Sequence, residues 1–306
     1  MLAVDVPESC DLRVRNKLAF FSTNRRKFIR LAATAGIAAL AADSTWIEPN
    51  HPRIVRQQIT LRRWPARLEG FTIALLSDFH YDPFFSVHPL RSAIGMVNSL
   101  RPDLIVLTGD FVTLPLFSKN NEKAAAAAEP CAQLLCQMHA THGSWAVMGN
   151  HDYFSDPDRV TSALQAVGIQ VLGNRSVAIE ANGARFWLSG VHDILSHTAD
   201  MSATLRGVPQ GEATVLLAHE PDYADHVTHY AVDLQLSGHS HGGQVRMPFV
   251  GPMYLPDMAK KYVWGLYKIG NLTLYTNPGL GTVGVPVRFQ CPPEITLLTM
   301  HPSAAF

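Results

Sequence analysis

Five short clusters in this chain carry side chains that bind divalent cations. They are Ser77-Asp78-Phe79-His80, Thr108-Gly109-Asp110, Gly149-Asn150-His151-Asp152, His219-Glu220 and Ser237-Gly238-His239-Ser240-His241-Gly242-Gly243. Carboxylate, imidazole and amide oxygen together form a borderline-to-hard donor set, suited to zinc, manganese or iron rather than to a thiolate site. In extended chain, residues two apart point the same way, so Asp78 with His80, and His239 with His241, would face one site. Glycines precede Asp110, Asn150 and His239. A residue without Cβ lets the chain turn sharply there and bring its backbone close to a ligand. Each cluster alone is a weak signal, and all five in this order are a strong one.

Each cluster follows an apolar run, at 71–76, 104–107, 145–148, 214–218 and 234–236. The runs are strand length and continuously apolar, as in strands buried on both faces. Helical segments are predicted at 89–100, 121–139 and 156–167, the last with Pro157 in its first turn after a polar cap. The five-alanine run at 124–128 reads as an exposed helix of the best helix former. Further strands are predicted at 54–61, 185–190, 272–276 and 294–300. Strands alternating with helices imply an α/β layered sheet in a single domain. In such sheets ligands bind outside the carboxyl ends of the strands. Five clusters meeting there match what two adjacent cations need.

The composition fits that reading. The chain has 306 residues, 47% apolar and 16% charged, with 25 basic and 25 acidic side chains and 14 histidines. Apolar content this high excludes disorder. The balanced charge argues against a broad nucleic-acid-binding surface, so no nucleic-acid partner is expected. Four cysteines cannot form a disulfide scaffold. Cys131, Cys136 and Cys291 read as buried or inert thiols, and none has zinc-ligand spacing.

The charge is uneven along the chain. Residues 1–41 hold seven basic and three acidic side chains, and residues 42–306 hold 18 and 22. A basic region, the apolar run 31–42 and a small-residue site at Ala39-Leu40-Ala41 make the layout of an export signal. The run is shorter than the roughly 20 residues of a membrane span. Asn24-Arg25-Arg26-Lys27-Phe28-Ile29-Arg30 is similar to the twin-arginine motif. Its arginine pair and Phe28 match, whereas Asn24, Ile29 and Arg30 depart from the commonest choices. The expectation is a signal segment at 1–42, a linker and edge strand at 43–70 and a catalytic domain at 71–306. The protein would be exported by the twin-arginine machinery to the periplasm or cell envelope. A retained amphipathic helix and an uncleaved signal anchor are the alternatives.

The ordered set of Asp-x-His, Gly-Asp, Gly-Asn-His-Asp, a single His and Gly-His-x-His resembles the calcineurin-like metallophosphoesterases. Residues 277–281, 285–289 and 293–295 extend the likeness toward a bacterial subgroup that includes twin-arginine-exported phosphodiesterases. The resemblance implies a layered β-sandwich flanked by helices. It also implies two divalent ions (Mn, Zn or Fe), one held by Asp78, His80 and His241 and one by Asn150, His219 and His239. Asp110 would bridge them with its two oxygens. His151 would contact a phosphate oxygen or protonate the leaving group, and Asp152 would orient His151 by a hydrogen bond.

The expected reaction is cleavage of a phosphodiester or pyrophosphate by a metal-bridging hydroxide. A phosphomonoesterase and a non-catalytic metal-binding envelope protein are the alternatives. The substrate stays open, with lipid-linked and nucleotide-linked esters among the choices. Phe84, Phe85 and residues 114–117 are candidates for an apolar site mouth that meets a membrane. Arg246 and Arg288 are candidates for an anion contact, and Tyr81, Tyr153 and Phe154 for a pocket wall. His192 is a candidate for the site's rim, while Asp193 and Glu220 carry no assignment.

Overall fold

In the computed structural model, which describes residues 25–115 and 121–303, the apolar runs are strands. In chain order the first seven are β1 (Arg53–Leu61), β2 (Thr72–Leu76), β3 (Leu104–Leu107), β4 (Ser144–Ala146), β5 (Gln170–Val171), β6 (Arg175–Ala181) and β7 (Ala184–Gly190). The rest are β8 (Thr214–Leu217), β9 (Leu234–Ser237), β10 (Arg246–Met247), β11 (Gly251–Pro252), β12 (Gly265–Ile269), β13 (Leu272–Thr276) and β14 (Glu294–Pro302). Helices are α1 (Arg25–Ala42), α2 (Val87–Leu100), α3 (Asn121–Ala125), α4 (Ala128–Leu135), α5 (Asn150–Ser155), α6 (Pro157–Ala166), α7 (Met201–Thr204) and α8 (Ala224–Val227).

Two six-stranded sheets carry the site. One has the order β1-β14-β2-β3-β4-β5, the other β12-β13-β9-β8-β7-β6. Strands β2 to β5 are parallel, and so are β13, β9, β8 and β7. Antiparallel partners join at β14, β12 and β6. The pleat sorts the apolar side chains. Ile73, Leu75 and Val106 pack inward with Val215, Leu217 and Leu234 of the other sheet. Ala74, Leu76, Ile105 and Leu107 point outward onto α2, α4 and α6. On the far side Leu216 and Leu274 meet Ala224 and Val227 of α8. The layers are therefore helix, sheet, sheet, helix, the expected mixed α/β sandwich. Strands covered on both faces have no polar side, which is why their sequences do not alternate.

The predicted helix at 121–139 is two helices. Pro130 lacks an N–H and its ring crowds the carbonyl of Ala126, so α3 ends at Ala125 before α4 begins. The alanine run is not exposed as expected, since Ala124, Ala125 and Ala128 are buried on the helix face that meets the core. Helix α6 starts as predicted, with Pro157 in its first turn and Asp156 Oδ1 accepting from the Arg159 N–H at 3.0 Å. Cys131 and Cys291 are buried and Cys136 is half-buried, all three as free thiols. Strand β6 and the β10–β11 hairpin have no counterpart in the predicted elements.

The chain divides into two units at Ala41–Ala42. In the first, the described part is α1, whose residues up to Ala41 are exposed. Among the described residues, no helix is long and apolar enough to cross a membrane.

Candidate metal centre

Strands β2, β3 and β4 of one sheet and β8 and β9 of the other deliver all five clusters to one place. Asp78, His80, Asp110 and His241 form one buried group, with ligand atoms within 4.8 Å of one another. Asp110, His219 and His239 form a second. In the first, His80 Nε2 lies 3.0 Å from His241 Nε2 and 3.4 Å from Asp110 Oδ2, and His241 Nε2 lies 3.5 Å from Asp78 Oδ1. In the second, His219 Nε2 lies 3.2 Å from the same Asp110 Oδ2. Asp110 Oδ1 instead accepts the His151 backbone N–H at 2.9 Å. One oxygen faces both groups and the other holds the neighbouring helix.

Side chains and backbone around the ligands set their tautomers. The Thr108 carbonyl can only accept, so His219 Nδ1 donates to it and leaves Nε2 toward Asp110. The Asp257 carbonyl likewise takes His239 Nε2–H at 2.8 Å, leaving Nδ1 free. His80 Nδ1 pairs with Thr113 Oγ1 at 3.2 Å. Second partners of this kind orient metal-binding imidazoles.

The donors fit divalent cations. Burial pushes His80 and His239 down to about 3, so both imidazoles are neutral with lone pairs available, and pushes the Asp78 carboxyl up to about 7. Burial also opposes charge on His219, but the Asp110 and Asp78 carboxylates outweigh it and hold its pKa well above the ordinary value. A proton there does the work that a cation does better. Without either, a buried nitrogen lone pair would face a carboxylate oxygen. Asn150 Oδ1 is also buried with no hydrogen-bond partner. It lines the same cavity as Asp110, His151, His239 and His241.

Local backbone explains the convergence differently from the sequence reading. Asp78, His80, Asp110, His239 and His241 all have φ between 42° and 65°. The chain beyond β2, β3 and β9 is therefore left-handed at these ligand positions rather than extended, and the pleat does not bring residues two apart together. Such a residue costs about 1–2 kcal/mol, as expected where strain is kept at a functional site. Gly109 turns the chain as expected, at φ 98°, whereas Gly149 and Gly238 serve space. Gly149 has ordinary extended dihedrals, yet a Cβ there would meet the His219 ring at 2.7 Å. A Cβ on Gly238 would overlap the Ser77 hydroxyl.

Asp152 departs from its expected role. Its Oδ2 accepts the backbone N–H of Asp110 at 2.8 Å and of Gly149 at 3.0 Å, and its Oδ1 those of Phe111 at 2.8 Å and Val112 at 3.1 Å. It pins the Asp110 loop to the start of α5 instead of orienting His151. The His151 ring is held by the Leu114 backbone N–H, which donates to Nδ1 at 2.9 Å. Nε2 therefore carries the ring proton.

The other candidates are sorted by burial. Arg288 is fully buried and donates to the carbonyls of Pro278, Gly281 and Cys291, so it closes a loop rather than meeting an anion. Arg246 donates to the Gly242 carbonyl at 2.6 Å and lies over Trp264. Tyr153 OH pairs with His192 Nδ1, Tyr81 packs against the core and Phe154 is exposed. Glu220 is buried beside Asp193; burial, then that contact, holds its pKa well above the usual range. Phe84 and Phe85 line a separate groove with Trp46 and Pro286. Leu114 is half-buried, and Leu116 and Phe117 lie outside the described residues. The cavity of about 620 Å³ over the ligands is walled instead by Val245, Met253, Tyr254, Pro256, Val283 and Val285. Sequence reasoning missed this wall, and its only signal was the apolar stretch around Gly251.

A two-sheet sandwich with a buried Asp/His cluster at its strand ends defines a metal-dependent phosphoric ester hydrolase. A family profile described as calcineurin-like phosphoesterase matches residues 71–243, and the chain belongs to that family. It is 32% identical over 286 residues to a Bacillus subtilis protein described as uncharacterized metallophosphoesterase YkuE, covering 90% of this chain and 97% of that one. It is 30% identical to phosphodiesterase YaeI of Escherichia coli, covering 90% and 99%. It is 26% identical to UDP-2,3-diacylglucosamine pyrophosphatase LpxG of Chlamydia trachomatis, covering 89% and 98%.

Proposed function

We propose that this protein hydrolyses a phosphodiester or pyrophosphate bond with two divalent cations. Asp78, His80 and His241 would hold one, Asn150, His219 and His239 the other, and Asp110 both. The observation that carries the reading is Asp110 Oδ2, which sits 3.4 Å from His80 Nε2 and 3.2 Å from His219 Nε2. When bound, such a pair of ions supplies a hydroxide nucleophile at neutral pH and neutralises the phosphoryl oxygens. His151 acts beside them. With Nδ1 accepting the Leu114 N–H, its Nε2–H would hydrogen-bond the leaving-group oxygen and stabilise the charge that develops there, the proton being supplied by water. Asp152 keeps the Asp110 loop and the start of α5 in register.

Diester or pyrophosphate cleavage is favoured over monoester cleavage by the names of two relatives, a phosphodiesterase and a pyrophosphatase acting on a lipid-bearing nucleotide sugar. Membership of the exported subgroup rests on Arg25-Arg26, Phe28 and the apolar run after them. In that reading residues 1–42 are the signal, 43–70 the linker and edge strand and 71–306 the catalytic domain. The protein then works in the periplasm or envelope.

Metal analysis and turnover test the proposal together. About two equivalents of metal per chain are expected, with manganese-stimulated cleavage of bis-(p-nitrophenyl) phosphate over p-nitrophenyl phosphate. Preference for the monoester would make the protein a phosphomonoesterase, and metal without turnover a binding protein. Replacing Arg25 and Arg26 by lysine is expected to stop export of the full chain.

A further inference from the structure

We propose that the apolar side of the cavity is a subsite for a hydrocarbon chain, so that the substrate is an amphiphilic phosphoester. This rests on the diesterase reading above and adds the class of the group attached to the phosphate.

The cavity has two unlike sides. Asp110, Asn150, His151, His239 and His241 lie on one, and Val245, Met253, Tyr254, Pro256, Val283 and Val285 on the other. Its volume of about 620 Å³ falls within the roughly 300–1,000 Å³ of sites for small organic ligands. The apolar side is exposed yet built. Met253, Tyr254 and Val285 are 60%, 73% and 57% exposed. Buried Gln244 holds one wall, donating from Nε2 to the carbonyls of Val283 and Val285 at 3.1 Å each and accepting the Val283 N–H at 2.9 Å. The Met253 N–H donates to the Val245 carbonyl at 3.0 Å and ties the other. A wall fixed in this way costs little ordering when a ligand arrives.

The same wall has little to offer a polar group. None of its six side chains is charged, and the nearby guanidinium of Arg246 is engaged with Gly242. The hairpin that supplies Val245 and Met253 ends in Phe249, exposed and at φ 65°. That conformation suits Gly or Asn, and Phe249 has no burial to offset its cost. Apolar side chains grouped around a site mouth mark what the site meets, here hydrocarbon.

The test compares p-nitrophenyl methyl phosphate with p-nitrophenyl octyl phosphate on the manganese-loaded full chain, the octyl ester kept below its aggregation concentration. The octyl ester is expected to show at least tenfold higher kcat/KM, mainly through KM. Met253→Ser and Val285→Ser, both at exposed positions, are each expected to lower that ratio at least threefold. As a readout without turnover, calorimetry on chelator-treated protein is expected to detect binding of methyl octyl phosphate but not of dimethyl phosphate. Equal use of the two esters, or equal binding, overturns the subsite. Hydrolysis of neither ester, with the octyl compound still bound, overturns the diesterase reading and leaves the subsite standing.

Discussion

The two oxygens of Asp110 have separate work: Oδ2 faces both ligand groups and Oδ1 takes the His151 backbone N–H. Asp152 completes this by accepting four backbone N–H groups from residues 110–112 and 149. Two substitutions separate positioning from contact with the leaving group. His151→Ala is expected to retain metal while losing about 10²–10⁴ in rate, most on esters with poor leaving groups. Metal analysis beside turnover on a graded leaving-group series checks it. Asp152→Asn puts an amide N–H₂ against backbone donors, at about 1–3 kcal/mol for each group left unsatisfied. A lower melting temperature and reduced metal content are expected. Lost rate with unchanged melting would instead return Asp152 to the role of orienting His151. The residue types of this site were legible in the sequence because a donor set is a local property. The partners of Asp152 were not, since three of the four lie about forty positions away and all are backbone groups.

At the scale of elements, the site depends on loops that pass very close to one another, those after β2, β3 and β9 through left-handed residues. Asp78 N–H donates to the Gly109 carbonyl and His80 N–H to the Asp110 carbonyl, at 3.0 and 2.9 Å, so two ligand loops are joined through backbone. Gly238 has no room for a Cβ against Ser77 and Asp78. Gly238→Ala is therefore expected to destabilise by about 1–3 kcal/mol and to weaken metal binding. Gly95 in α2 is the contrast, with nothing within 4 Å of an added Cβ. Gly95→Ala is expected to stabilise by about 0.5–1 kcal/mol, because alanine loses less backbone entropy in a helix. Urea denaturation of both variants decides the pair. The central strands were legible because their runs are apolar throughout. Edge strand β6 mixes Arg175 and Glu180 with small residues, and β10 and β11 have two residues each, too short for any period.

Across the whole molecule, the sandwich places the ends of strands from both sheets over one buried cluster of acids and imidazoles. Leaving that cluster without cations has an energetic consequence. Burial raises Asp78, and Asn150 Oδ1 and His219 Nε2 are buried without a hydrogen-bond partner, so the metal-free site leaves polar groups uncompensated. A strong chelator is expected to abolish turnover and to lower the melting temperature. Manganese added back is expected to restore both, with about 4 kcal/mol of stabilisation at a thousandfold excess over the dissociation constant. Differential scanning calorimetry with and without the ion measures it. An unchanged melting temperature after complete metal removal would separate the cluster from folding.

Composition and local pattern were enough to name the acids and imidazoles that gather at the strand ends, the strands that precede them and the family they resemble. Donor chemistry and continuous burial are written in neighbouring residues. The tertiary structure decided which oxygen of Asp110 faces both groups, what Asp152 holds, and that Met253 and Val285 rather than Phe84 and Phe85 wall the cavity. Those outcomes depend on hydrogen bonds and contacts between segments far apart in the chain, where short-range periodicity carries no information.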